Sequence, residues 1–289
     1  MASPHVADWV KAGALLALAW LVLYLPSYFD FAQIAWARDE NAHAPFLLAF
    51  CFGAGLVRLR NLDRLGALTL MKPRSGELVT GAVVLVAGLA CFVLGRLGQV
   101  ELFISLSQLP VATGIVLLTG GRHLLRQLWF PLAMLAYLII WPGWALNELT
   151  SPLKHWVSAT VSDILYATGL PIARSGVLLV VGQYELLIAD ACSGLNSLLA
   201  LTATGAIYLY LNRPRSRLHA VLVFASAIPI AIFANVVRVS VLVLLTYYGG
   251  YNIGQGFAHE FAGLFLYSVA LGSLFVVDGL LSKFGKPRS

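Results

Sequence analysis

Charge is what this sequence has least of. Only 11% of its 289 residues are Asp, Glu, Lys or Arg, where a soluble domain carries about a quarter. With 60% hydrophobic residues and a mean hydropathy of +0.84, the chain is excluded from the soluble globular class and reads as a polytopic membrane protein. Cysteine is equally sparse. The three present, Cys51, Cys91 and Cys192, show no paired spacing, no C-x-x-C and no zinc pattern, which argues against disulfides and a metal site. Nor is there a repeat, a low-complexity tract or a soluble domain of any size, so 1–289 reads as a single membrane domain.

What is there is apolar length. A bilayer core of about 30 Å needs about 20 apolar residues to cross it as a helix. Eight runs approach that length, approximately Val10 to Pro26, Ala44 to Val57, Leu78 to Gly95, Glu101 to Thr119, Leu124 to Leu146, Ser193 to Leu211, His219 to Tyr248 and His259 to Leu281. The first lacks a small-residue cleavage site before Tyr28 and reads as a retained helix.

The basic residues test that count, because cytoplasmic loops hold the excess of Lys and Arg. Arg58, Arg60, Arg64, Lys72 and Arg74 follow the second run, and Arg122 and Arg126 the fourth. Arg213, Arg215 and Arg217 follow the sixth, and Lys283, Lys286 and Arg288 the eighth. These are 13 of the 19 basic residues, all on one side. Eight helices with both termini cytoplasmic account for them. The net charge of +6 is then explained by topology and anionic lipid, with no nucleic acid partner.

One long non-cytoplasmic segment, Asn147 to Asp190, separates the fifth and sixth runs. From Pro152 to Leu170, apolar Leu153, Trp156, Val157, Thr160, Val161, Ile164 and Leu165 recur at helical spacing, which predicts an amphipathic interfacial helix. From Gly176 to Ala189, two short apolar, strand-like runs flank Gly182-Gln183, which predicts a hairpin with a type II′ turn. The expected fold is thus all-α, with this helix and hairpin inserted between the fifth and sixth of about eight transmembrane helices. A hairpin exposed to lipid leaves edge groups unpaired, so it belongs above the bilayer or against the helices.

Its second strand leads to Asp190-Ala191-Cys192-Ser193-Gly194, where a long apolar run begins. A thiol held at a helix N-terminus ionises more readily than a free one, although most free cysteines are inert buried groups. Arg238 lies inside the seventh run, where an unpaired charge costs several kcal/mol, about 2.5–3.5 on insertion scales. Asn235 is on the same helix face and can orient it. His259 opens the eighth run, and histidine exchanges protons near neutrality. All three fall at one boundary, where Cys192 and His259 supply a nucleophile and a base, and Arg238 an electrostatic partner for a thiolate or oxyanion. Asp190 reads as a cap of the sixth helix, and His43 as a supporting group in the same outer layer.

The ordered set Ala191-Cys192-Ser193-Gly194, Asn235-x-x-Arg238 and His259 resembles the active-site signature of the exosortase/archaeosortase family of multi-pass membrane cysteine proteases. Trp36-x-x-Asp39-x-x-x-His43-Ala44-Pro45 resembles its first outer loop. Phe130-Pro131 and Trp141-Pro142 resemble its segment before the hairpin. Two positions depart from the common pattern. Ala44 stands where a glycine often follows the histidine, and Asn196 replaces an arginine and is closer to the exosortase B branch.

The resemblance implies a bacterial inner-membrane enzyme with its site facing the periplasm and no cofactor. Its substrates would be exported proteins that end in a Pro-Glu-Pro-type motif, a spanning helix and a basic tail. Cys192 would attack the peptide carbonyl, His259 would protonate the leaving amine and Arg238 would stabilise the developing charge, the acyl-enzyme passing to water or an amine. Two other classes remain open on the residues alone: a transporter with Arg238 in a polar pathway, and a non-enzymatic scaffold of a polymer-export system.

Overall fold

The computed structural model describes residues 4–33, 36, 43–68, 71–187, 195–212, 214, 216–250 and 257–284. In chain order these form α1 (Pro4–Gln33), α2 (Ala44–Arg64), α3 (Ser75–Gly98), α4 (Glu101–Met134), a 3-10 turn (Leu135–Leu138) and α5 (Gly143–Ala167). Three strands follow, β1 (Ile172–Ser175), β2 (Leu178–Val181) and β3 (Tyr184–Leu187), then α6 (Leu195–Asn212), α7 (Arg217–Gly249) and α8 (Phe257–Phe284). The chain is a mostly α-helical polytopic membrane protein with one small sheet. Six of its helices are long and apolar enough to cross a membrane. It divides into two compact units, Met1–Pro142 and Gly143–Ser289.

In the first unit α4 is one stretch of helix folded back on itself. Gly121 (φ 61°, ψ −158°) interrupts it, a backbone region open essentially to glycine alone. A straight helix would set Ser105 and Ile140 about 50 Å apart. Instead the Ile140 N–H donates to Ser105 Oγ at 2.9 Å, so the chain returns to the level from which it started. The two limbs of α4 match the fourth and fifth apolar runs. With the apolar part of α6, Leu198–Asn212, the six long helices account for all eight.

α3 packs along the first limb through glycines spaced seven apart. Cβ atoms built at Gly81, Gly88 and Gly95 would meet Leu117, Val111 and Ile104 at 3.0, 2.8 and 2.8 Å. In lipid no hydrophobic drive joins helices, and small residues let backbones approach closely. α1 presents Trp20, Tyr24, Tyr28 and Phe31 to the same core. Tyr24 Oη shares a 2.7 Å hydrogen bond with Ser107 Oγ, and Tyr28 Oη donates to Gln108 Oε1 at 2.6 Å. The two tyrosine hydroxyls thus find partners across α1 and α4.

The fifth run ends earlier than its hydropathy implies. It was expected to reach Leu146, but the helix stops at the 3-10 turn, and Gly143–Leu146 open α5 instead. The residue before a proline is biased away from the helical region, and Pro142 separates the two helices at that point.

In the second unit, α5 lays Val157, Val161 and Leu165 against Leu179, Val181 and Leu186 of the sheet and against Val236, Val239 and Val243 of α7. This is the amphipathic helix read from sequence, longer at its N-terminus. The hairpin is present too, with Gly182 at φ 58° and β2 pairing with β3 from Val181–Tyr184 to Leu178–Leu187. Only Gly182 of its two turn residues has positive φ, as type II′ requires. The sheet has three strands where two were expected. β1 pairs antiparallel with β2 from Ile172–Val181 to Ser175–Leu178, through a second tight turn at Gly176 (φ 64°). Its sequence, Ile-Ala-Arg-Ser, has only one buried residue, so it carries no alternating signal.

The opposite end of α7 holds a polar clamp. His219 Nε2 lies 2.7 Å from Asp278 Oδ1, and Tyr208 Oη donates to Asp278 Oδ2 at 2.7 Å. One carboxylate therefore ties α6, α7 and α8 together. Asp278→Ala strips both partners of their acceptor, and the expected loss is about 1–3 kcal/mol, measured as a lower midpoint of detergent-induced unfolding. Asp278→Asn keeps one acceptor oxygen and should lose less.

Candidate functional site

The half of α7 that carries the sheet also carries Arg238 and Asn235. Val236, Val239 and Val243 turn toward α5 and the sheet, while Arg238 and Asn235 line a narrow cavity on another face. α7 is amphipathic in an unusual sense: one apolar stripe seats the sheet, and a neighbouring polar stripe faces α8. Asn235 is 2% exposed. Its spacing of three from Arg238 puts both polar groups on the same side of the helix.

The opposite wall is α8. A Cβ built at Gly263 would lie 3.2 Å from Arg238 Nη2 and 3.4 Å from its Cζ. The absent side chain is what lets the guanidinium lie against the backbone of α8. His259 precedes Gly263 by one helical turn on the same helix, a spacing that shares a helix face; its side chain lies outside the described residues. Leu201 of α6 and Tyr267 of α8 complete the wall, and Tyr267 Oη shares a 2.7 Å hydrogen bond with Thr204 Oγ1. Tyr267 is thus part of the polar lining.

Asp190, Cys192, Ser193 and Gly194 lie outside the described residues. The elements on either side of them are described: β3 ends at Leu187 and α6 starts at Leu195. β3 belongs to the sheet that sits on α7, with the Gly182 turn 3.2 Å from Tyr247 when a Cβ is built there. Both flanks of the cysteine segment therefore belong to elements that pack beside α7.

His43 belongs to the first unit, at the N-cap of α2. Its ring donates to the Tyr137 carbonyl. Burial holds its pKa below the usual histidine range, and the bond to the carbonyl pulls the other way. Nearby in the sequence, the Trp36 ring stacks 5.7 Å from Tyr28. Among the described residues no group of three or more His, Cys, Asp or Glu could hold a metal ion.

The Tyr208–His219–Asp278 clamp was missed from sequence, though an aspartate within the last apolar run was the signal available. So was Gly263, whose contact with Arg238 depends on the relative placement of two helices.

A polar pocket built by an arginine within a candidate span, between three apolar helices and beside an extramembrane-type sheet, defines an integral membrane protein with an ionisable site set into its helices. A family model described as Transmembrane exosortase (Exosortase_EpsH) matches residues 36–276, and the chain belongs to the exosortase family. No curated protein and no solved structure matches it.

Proposed function

We propose that this exosortase is a membrane cysteine protease or transpeptidase that cleaves a C-terminal sorting signal at the outer face of the bacterial inner membrane, with both termini in the cytoplasm. The observation that carries the reading is the seating of the Arg238 guanidinium against Gly263, one turn from His259 on the same helix. An arginine in an apolar helix is costly unless paired or hydrated, and where one is kept it marks a functional site by default. A fixed cation beside a histidine-bearing helix suits the charge that develops in acyl transfer.

In this reading the Cys192 thiolate attacks the peptide carbonyl and Arg238 stabilises the oxyanion. His259 gives its proton to the leaving amine as the acyl-enzyme forms. Asn235 orients Arg238, Asp190 caps the sixth helix, Ser193 and Gly194 support the nucleophile they follow in the chain, and His43 supports the outer layer. The substrates are exported proteins ending in a Pro-Glu-Pro-type motif, a spanning helix and a basic tail. The charge pattern supports this orientation, because cytoplasmic loops hold the excess of Lys and Arg and 13 basic residues cluster in alternate loops.

The test is co-expression with exported proteins that end in such a signal, comparing substrate mass in cells with the wild type and with Cys192→Ala. The wild type is expected to shorten the substrate and the variant to leave it whole. Shortening by Cys192→Ala would remove the cysteine mechanism.

A further inference from the structure

The first unit contains a hollow unrelated to the arginine site. α1, α2 and both limbs of α4 enclose a groove of about 930 Å³, counting its open mouth, with walls that are almost wholly apolar. Trp20 on α1, Gly55 and Leu59 on α2, and Val116, Leu128 and Leu132 on α4 line it. Leu21, Phe52 and Leu56, which also line it, are 39%, 39% and 49% exposed, so it opens sideways, toward the hydrocarbon that surrounds the helices.

One end of this groove is cationic. Arg58, next to the lining residue Leu59, donates from its guanidinium to Gln127 Oε1, next to the lining residue Leu128, and so bridges α2 and α4 beside the groove. The C-terminal end of α2, the loop between α2 and α3 and the bend of α4 gather Arg60, Arg64, Lys72, Arg74, Arg122 and Arg126, with Asp63 and Glu77 as acidic neighbours. Glu77 is already engaged, since the Arg74 N–H donates to it at 3.0 Å and Arg122 Nε lies 3.9 Å away. The surplus of cations at this end therefore faces the headgroup layer.

An apolar slot that opens to lipid, with a guanidinium bridging two of its walls beside it, complements the shape and charge of an anionic phospholipid. We propose that it binds one, with an acyl chain between α1 and α2 and the phosphate at Arg58. A second copy of the chain would bring its own basic cluster to the same place, and so would a partner helix with a basic tail. Like charge disfavours both. Basic pockets between membrane helices are suited to such headgroups by the same electrostatics.

The walls supply a selective variant. Gly55 lines the groove and a Cβ there meets nothing within 4 Å, so Gly55→Leu adds bulk to the groove with no clash at its Cβ and adds helix propensity. Ala17→Phe fills it from the other wall. Arg58→Gln leaves the slot open and removes the cation. The experiment is native mass spectrometry of the delipidated full-length protein, titrated with phosphatidylglycerol or with phosphatidylcholine of the same chains. The wild type is expected to retain phosphatidylglycerol at least tenfold better. Both filling variants should lose retention of either lipid, and Arg58→Gln should lose only the preference. Equal retention of the two lipids by the wild type would overturn the proposal. So would retention unchanged by both filling variants, or an oligomer that those variants dissociate with no change in lipid.

Discussion

Arg238→Met is expected to lower the rate of substrate processing by about 10²–10³-fold while the protein still inserts, the loss that follows removal of one donor aimed at a developing oxyanion. Methionine keeps the unbranched stem of the side chain and removes the charged head, whose Nη2, Cζ and Nε lie nearest Gly263 on α8. Arg238→Lys should recover only part of the activity, because an ammonium cannot reproduce the planar fork of a guanidinium lying on the Gly263 backbone. A purely structural arginine would show a different pattern, with stability lost in proportion to activity. Two readouts separate them. The unfolding midpoint of Arg238→Met should stay close to that of the wild type. The pH at which Cys192 reacts with an impermeant alkylating reagent should rise, since a nearby cation favours the thiolate. Normal processing by Arg238→Met would end its assignment to the chemistry. Gly263→Leu gives an independent check, because it pushes the guanidinium from its seat and should lower the rate with Arg238 still present.

The helices were legible because hydropathy is a property of the chain taken locally. An apolar run of sufficient length spans a bilayer whatever its neighbours do. The turn at Gly182-Gln183 was legible for a similar reason, since two adjacent residues specify it. Legibility failed where the outcome depended on context. Gly143–Leu146 has the composition of a membrane run, and only the break at Pro142 assigns it to α5. β1 is too short and too exposed to alternate, and it exists because β2 offers it an edge. The clamp joins Asp278 to residues 59 and 70 positions away, a separation that sequence alone cannot close.

The arginine site was half legible for the same reason. Arg238 and Asn235 declare themselves as polar residues in an apolar helix, but the helix they face is a tertiary fact. Gly263 reads in the sequence as an ordinary glycine. Its role emerges only when α8 lies against α7, where an added Cβ would stand 3.2 Å from Arg238 Nη2 and a large side chain would press on the guanidinium.

The largest effect on stability is expected at Gly88. The Cβ of any replacement would stand 2.8 Å from the backbone nitrogen of Val111 and 2.8 Å from its Cγ2. A side chain can turn aside, but a backbone nitrogen inside a helix cannot, so α3 and α4 must part. Parting them also opens the contacts at Gly81 and Gly95, because the three glycines occupy one seam at seven-residue intervals. Overpacking a core costs about 1–3 kcal/mol and occasionally more. Gly88→Leu should fall at or beyond the upper end of that range, measured as the midpoint of detergent-induced unfolding. Gly53→Leu is the matched control. It makes the same chemical change in α2 where nothing lies within 4 Å of the new Cβ, and helix propensity alone should leave it neutral or stabilised by up to about 1 kcal/mol. If the two variants unfold at the same midpoint, the glycine seam is not what closes the α3–α4 hairpin. A wide separation between them would show that backbone approach, not side-chain burial, sets the stability of this pair.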